Sequence, residues 1–224
     1  MRNALQIIAS MVFSLVFFGT ALFLPAWTLH YWQAWTFIAV FTAAAAMSSL
    51  YLAVRNPAAL QRRLKAGPTA ETRPAQRIII SAIVLSVIAT LVISAFDHRF
   101  GWSAVPVYMV VIGNVLVFAG LSIAQLVVVQ NGYAAATITV EEDQPLITTG
   151  LYGLVRHPMY FGTVIMMVGT PPALGSLWGL LAVVGALPVL AARISDEERM
   201  LVEELPGYGE YMAKVRHRLV PGVW

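Results

Sequence analysis

Cysteine is absent from this chain, which removes disulfides, thiolate nucleophiles and cysteine-ligated metals together. Charge is scarce too. Asp, Glu, Lys and Arg make up 11% of the 224 residues, against roughly 25% in soluble domains. No segment is long and polar enough to form a soluble domain, so residues 1–224 read as a single membrane domain. The four histidines, at positions 30, 98, 157 and 217, have no metal-ligand spacing, so no metal is implied. Neither a serine or cysteine triad nor a glycine-rich dinucleotide fingerprint is present. The net charge of +3 is small and scattered, which argues against nucleic acid as a partner.

Apolar residues fill the space that charge leaves, at 59% of the chain. Runs at 5–24, 32–54, 78–96 and 105–129 each approach or exceed the ~20 residues that carry a helix across the hydrocarbon core. The fold class that follows is all-α, a polytopic integral membrane helical bundle. Arg2 before the first run resembles a secretory leader, but the run is longer than a leader core. No well-placed small-x-small cleavage site follows it, so it reads as a retained anchor.

Orientation follows from the connection after the second run. Arg55, Arg62, Arg63, Lys65, Arg73 and Arg77 stand there against the single acid Glu71, which marks the cytoplasmic side. The N-terminus and the 130–157 connection then share that side, while 25–31 and Asp97-His98-Arg99 face out. The expected location is the inner (cytoplasmic) membrane. Trp27, Tyr31, Trp32 and Trp102 flank the spans and suit an interfacial belt of anchors.

The segment from Met159 to Ala192 is too long to be one crossing. A straight helix of that length would run about 50 Å, against a core of about 30 Å. Gly169-Thr170-Pro171-Pro172 and Gly175-Ser176 stand near its middle and predict a break. The expected form is a helical hairpin with two short arms, which returns Arg193 to the face that holds Arg156 and His157. Beyond Arg193, Ser195 and Glu198 have the spacing of a capping box, and Leu205-Pro206-Gly207 breaks the helix. Tyr208, Tyr211, Lys214, Arg216, His217 and Arg218 then form a basic, partly apolar tail, suited to an anionic cytoplasmic leaflet and its membrane lipids.

Scarce polar residues at both ends of that apolar segment mark a candidate site. Pro158 suits a first helical turn and keeps His157 out of helical geometry. His157 and Arg156 thus lie at a helix entry, where partial positive charge and free amides favour a carboxylate. Tyr160 follows about one turn later. A plain interfacial helix start explains Arg156 and His157 equally well. Arg193 and Glu197 are four apart and share a helix face. They form either an ordinary intrahelical ion pair or, beside His157 and Tyr160, part of a site. Glu198 reads as a cap partner. Gly150 to Gly153 follows no expected strand and reads as a flexible turn.

These residues resemble a family. The run Thr149-Gly150-Leu151-Tyr152-Gly153-Leu154-Val155-Arg156-His157-Pro158-Met159-Tyr160-Phe161-Gly162, then Arg193-x-x-x-Glu197-Glu198-x-x-Leu201, then Tyr208-Gly209-Glu210-Tyr211, is similar to the isoprenylcysteine carboxyl methyltransferases. Phospholipid N-methyltransferases share much of this signature. The resemblance covers roughly the last hundred residues, from Val128-Val129-Gln130-Asn131 onward, which defines a cofactor-binding and catalytic part at about 128–224. It implies methyl transfer from S-adenosylmethionine at the cytoplasmic membrane face. The acceptor it implies is a small lipophilic or prenylated molecule, with an isoprenylcysteine-like carboxylate as the model.

Carried over by position, Gln144, Tyr152, His157, Pro158 and Tyr160 line the cofactor pocket, with Leu146 and Ile147 giving backbone contacts. Glu197 holds a polar part of the cofactor, and Arg193 grips the acceptor's carboxylate, the two forming the catalytic pair. Gln144 stands where the eukaryotic members carry His, and the stretch from Gly132 to Glu142 is enlarged, which separates Gln130 from the motif. The resemblance leaves the oligomeric state open. Two other readings remain. One is an NADPH-dependent membrane reductase of the sterol-reductase type, which shares an Arg-His-Pro-x-Tyr element on a much longer chain. The other is a non-catalytic membrane subunit or transporter, which has no need of His157, Tyr160, Arg193 and Glu197 together.

Overall fold

The computed structural model describes residues 2–64, 71, 73–134, 140 and 144–224, with side chains from Leu5 onward. Residues 65–70 of the basic connection and most of the enlarged 132–142 stretch therefore lie outside the described residues. Among the described residues there are eight α-helices and no strand. They are α1 (Arg2–Ala26), α2 (Trp32–Arg55), α3 (Pro57–Leu64), α4 (Pro74–Phe100), α5 (Val107–Gln130), α6 (Pro158–Ala173), α7 (Gly179–Glu204) and α8 (Tyr208–Lys214). A single 3-10 turn covers Gly150–Gly153.

Helices α1, α2, α4, α5 and α7 are long and apolar enough to cross a membrane. Their outward faces carry exposed Phe13, Val54, Ile78, Leu85, Val111 and Leu181, a surface that only lipid covers without cost. Local signals set the ends. Proline opens α3 and α4, where its missing N–H is no loss. The Asn56 carboxamide caps α3 by accepting from Ala59 N at 3.1 Å. Gly101 ends α4 at φ 65°, a backbone state that side chains resist.

The expected hairpin is present, with two corrections. Its arms are unequal: α6 has 16 residues and α7 has 26, so α7 runs straight through the Ser195–Glu198 spacing that reads as a cap. Gly169 to Pro172 also stay helical, so the break falls only at the Gly175-Ser176 part of the expected cluster, between Ala173 and Gly179, where Gly175 takes φ 70°. Pro171 and Pro172 end α6 rather than interrupt its middle, and Thr170 Oγ1 bonds the Met166 carbonyl at 2.8 Å.

Gly169 has a different job from breaking the helix. A methyl group there would lie 2.6 Å from Leu116 Cβ and 2.7 Å from the Gly113 carbonyl oxygen. Gly162 meets the Gly120 carbonyl in the same way, at 2.7 Å. Glycines seven apart on α5 and on α6 thus let two backbones touch, as small residues do between membrane helices. The facing arms are held apart by larger groups. Met166 and Met167 pack on Val183 and Ala186, and Tyr160, Phe161 and Val164 pack on Leu190 and Ile194. Helix α7 lies along α4.

One end of the bundle is tied by polar groups. Tyr31 Oη donates to the Leu174 carbonyl at 2.7 Å. Buried Asp97 accepts from Ser103 N, Ser103 Oγ and Ser176 Oγ at 2.6–2.7 Å. The hairpin turn is thereby fixed to the loops that follow α1 and α4. The other end collects the start of α6, the end of α7, and α8 with the tail. There the chain after α8 returns to the His-Pro entry, with Arg156 N donating to His217 O and His157 N to Arg218 O, each at 2.9 Å. Tyr208, Tyr211 and Leu219 are buried by this return, so the tail's apolar side faces protein while Lys214 and Arg216 stay exposed.

Candidate active site

His157 caps α6 with φ −122° and ψ 62°, outside helical geometry, and Pro158 begins the helix. That local geometry is the one the His-Pro pair dictates. The side chains of Arg156 and His157 then turn to Glu198 on α7. Glu198 accepts from Arg156 Nε at 2.6 Å and from Arg218 Nε at 2.7 Å, and His157 Nε2 lies 3.2 Å from its Oε1. Arg156 also donates through Nη1 to the carbonyls of Val215 and Arg216 at 2.8 and 2.9 Å. One buried carboxylate therefore fastens the α6 entry, α7 and the tail together. The sequence reading of Glu198 as a cap partner is corrected: it lies inside a continuous helix, where no cap exists.

Glu197 turns to the other side. Tyr160 Oη donates to Glu197 Oε2 at 2.6 Å and accepts from Arg193 Nε at 3.0 Å. The direction is forced, because a guanidinium only donates and a phenol has a single proton. Tyr160 therefore stands between the two residues that helical spacing suggested as an ion pair. Arg193 spends its other edge on Gln76 Oε1 at 2.8 Å and Glu71 Oε1 at 2.9 Å. Gln76 in turn donates to Asp196, which Arg73 also meets at 3.3 Å.

Of these groups, Arg156, His157, Tyr160, Arg193 and Glu197 wall a pocket of about 830 Å³, counting the part open to solvent. Gln144, Leu146, Ile147, Tyr152, His157, Pro158, Tyr160, Arg193 and Glu197, all chosen from sequence, line it together. Met159, Met200, Leu201, Leu205, Tyr208 and Tyr211 complete the apolar and aromatic part. Tyr152 is held by Asn131 Nδ2, which donates to its hydroxyl at 3.2 Å, and by Tyr211 Oη, which donates to its carbonyl at 2.7 Å. Burial pushes the Tyr152 phenol up to about 12, with Glu197 adding to the rise and the Asn131 bond opposing it. Tyr208 and Tyr211 are raised further, again mainly by burial. Gln130 is used elsewhere. Its Oε1 accepts from Leu151 N at 3.1 Å, and its carboxamide packs on Gly150, where a methyl group would lie 2.6 Å from its Nε2.

Sequence reasoning missed Glu198 as a hub, Glu71 and Gln76 as partners of Arg193, and the pocket-facing Tyr208 and Tyr211. The Tyr208-Gly209-Glu210-Tyr211 spacing was the available signal for the last two. Nothing local signals Glu71, because its partner lies 122 residues away.

Comparison with known proteins adds the following. Residues 107–208, which carry most of the pocket, match the family model for phospholipid methyltransferase. None of the curated proteins compared with the chain matches it. Among solved structures, the eukaryotic intramembrane Ras methyltransferase ICMT (isoprenylcysteine carboxyl methyltransferase) is similar across 99% of this chain and 97% of its own, at 16% identity and a TM-score of 0.55. At that identity the likeness concerns the fold, and the fold is an ICMT-like helical membrane architecture.

Proposed function

We propose that this chain is a membrane methyltransferase that draws on S-adenosylmethionine at the cytoplasmic face and methylates a small lipophilic acceptor. The observation that carries the reading is the composition of the pocket wall within residues 107–208. A carboxylate oriented by a tyrosine shares the wall with tyrosine rings, thioethers and leucines, and with Asn131 and Gln144. That mixture fits a cofactor that joins a purine, a sulfonium and an amino-acid head. Apolar and aromatic walls accept the purine, and ring faces and a carboxylate favour the cationic parts.

When bound, the cofactor supplies an already activated methyl group, so the chain's task is alignment and exclusion of water. Glu197 holds the cationic end, its oxygen fixed by Tyr160. Tyr152, Tyr208 and Tyr211 stay neutral phenols at physiological pH, so they shape the wall without adding negative charge. His157 is turned by Glu198 so that its ring stands by Tyr160, with ring centres 5.7 Å apart. Leu146 and Ile147, which line the same pocket, offer backbone groups. An acceptor carried by lipid reaches such a pocket sideways between helices, and the family resemblance offers an isoprenylcysteine-like carboxylate held by Arg193 as its model.

The test is calorimetric binding to the detergent-purified protein. S-adenosylhomocysteine is expected to bind, and His157→Ala and Tyr160→Ala to weaken it about tenfold or more, the loss of one or two good hydrogen bonds or contacts. Binding of NADPH with no affinity for S-adenosylhomocysteine would replace this reading with a reductase.

A further inference from the structure

Arg193 is the residue expected to grip an acceptor's carboxylate, yet the fold has already supplied one. Its Nη2 meets Glu71 Oε1 at 2.9 Å and its Nη1 meets Gln76 at 2.8 Å, while its Nε serves Tyr160. This is no surface pair: Glu71 is 2% exposed and Arg193 is 3% exposed. The backbone of Glu71 is tied as well, its carbonyl accepting from Arg77 Nε at 2.8 Å. Both Glu71 and Gln76 lie outside residues 107–208, the part that matches the methyltransferase family model.

We propose that Glu71 is a specificity residue, the in-chain anion of Arg193, and that the acceptor is an uncharged nucleophile bearing a hydrogen, an amine, alcohol or thiol, rather than a carboxylate. This rests on the methyl-transfer reading of the pocket. Competition decides between the two acceptor classes. A group tethered by the chain acts at an effective concentration of about millimolar even on a flexible linker, and Glu71 is already seated. A free acid must displace that tethered carboxylate before the guanidinium can take it. It must also strand the displaced Glu71 carboxylate.

An uncharged acceptor asks nothing of the guanidinium and meets no such competitor. The transfer balances without any further reagent. The carbon–sulfur bond breaks with its pair left on sulfur, the acceptor's lone pair forms the new bond to the methyl carbon, and the acceptor's proton passes to a base. Water at the solvent-open side of the pocket is that base, because Glu197 is engaged by Tyr160 and the cofactor's cationic end.

The test uses the full chain in detergent, with sodium acetate as the probe and acetamide as its neutral match. In Glu71→Ala and Glu71→Gly, which leave room for a small acid, acetate is expected to raise the unfolding temperature saturably and restore S-adenosylhomocysteine affinity at least fivefold. Acetamide should do neither, and the wild-type protein should respond to neither compound. If the variants do not fold alone, the refolding yield in acetate against acetamide gives the same comparison. Saturable stabilisation of the wild type by acetate overturns the proposal, as does equal behaviour of acetate and acetamide in both variants.

The acceptor class is read separately, by wild-type methyl transfer to S-farnesylthioacetic acid and to the amine, alcohol and thiol of the same chain. Preference for the acid overturns that assignment. Absence of S-adenosylhomocysteine binding in the wild type would instead defeat the methyl-transfer reading, and the acetate comparison would still judge Glu71.

Discussion

Glu197 and Glu198 are adjacent, and an α-helix turns adjacent residues apart by about 100°, so they meet different neighbours. Glu198 is buried against Arg156, His157 and Arg218. Removing this anion from buried Arg156 costs about 3–5 kcal/mol, so Glu198→Ala is expected to lower the unfolding temperature markedly and loosen the tail. Glu197 faces the pocket, and Glu197→Gln should leave stability nearly unchanged while S-adenosylhomocysteine affinity falls about ten- to a hundredfold, the worth of a charge-assisted hydrogen bond. Calorimetry and thermal melts on the two variants check the contrast, and equal loss of stability in both would remove the division of labour. The tyrosines give a pH signature. Tyr152 is raised to about 12 by burial, and Tyr208 and Tyr211 rise in the same direction. A phenol with a folded value above its unfolded ~10 contributes stability that is complete below that value and lost as pH climbs through the folded value. Melts should therefore show no tyrosine-linked loss from pH 7 to 9 and a fall between about 10 and 12, reduced in Tyr152→Phe.

Helix α6 is positioned by its contact with α5 more than by its own propensity. Gly120 and Gly162 face each other so closely that any side chain drives into backbone. Gly162→Leu is therefore expected to destabilise the protein by about 1–3 kcal/mol or more and to weaken cofactor binding, because α6 carries His157 and Tyr160. Gly185 on α7 offers the control: nothing lies within 4 Å of a methyl group there. Gly185→Ala should be neutral or stabilise by about 0.5–1 kcal/mol. Thermal melts of the two variants separate a packing glycine from a tolerated one, and a harmless Gly162→Leu would contradict the backbone contact. The same comparison explains why Gly169, read from sequence as part of the break, lies inside α6. Glycine marks both turns and close helix contacts, and the one-dimensional string does not distinguish them.

At the scale of the molecule, the bundle has one end tied by Tyr31, Asp97 and Ser176 and another that carries the pocket. We place the pocket end in the cytoplasm, on the strength of the basic connection between α2 and α4. Single cysteines at 30, 64 and 214 test this in a chain that has none of its own. With an impermeant thiol reagent on intact cells, position 30 is expected to label while 64 and 214 stay protected until the membrane is opened. Labelling of 214 from outside, with 64 protected, would defeat the hairpin.

Composition and periodicity determined the class, four of the five long spans and the hairpin, and the family resemblance supplied the residues expected on the pocket wall. Those are local matters: ~20 apolar residues must cross lipid, proline must begin a helix rather than continue one, and residues four apart must share a face. What each charge does was settled only by tertiary structure. Glu71 reaches Arg193 across 122 positions, Arg218 reaches Glu198 across 20, and Tyr160 enters between Arg193 and Glu197 from another helix. A buried charge takes whichever partner the packing brings within hydrogen-bond reach, and sequence distance has no part in that choice.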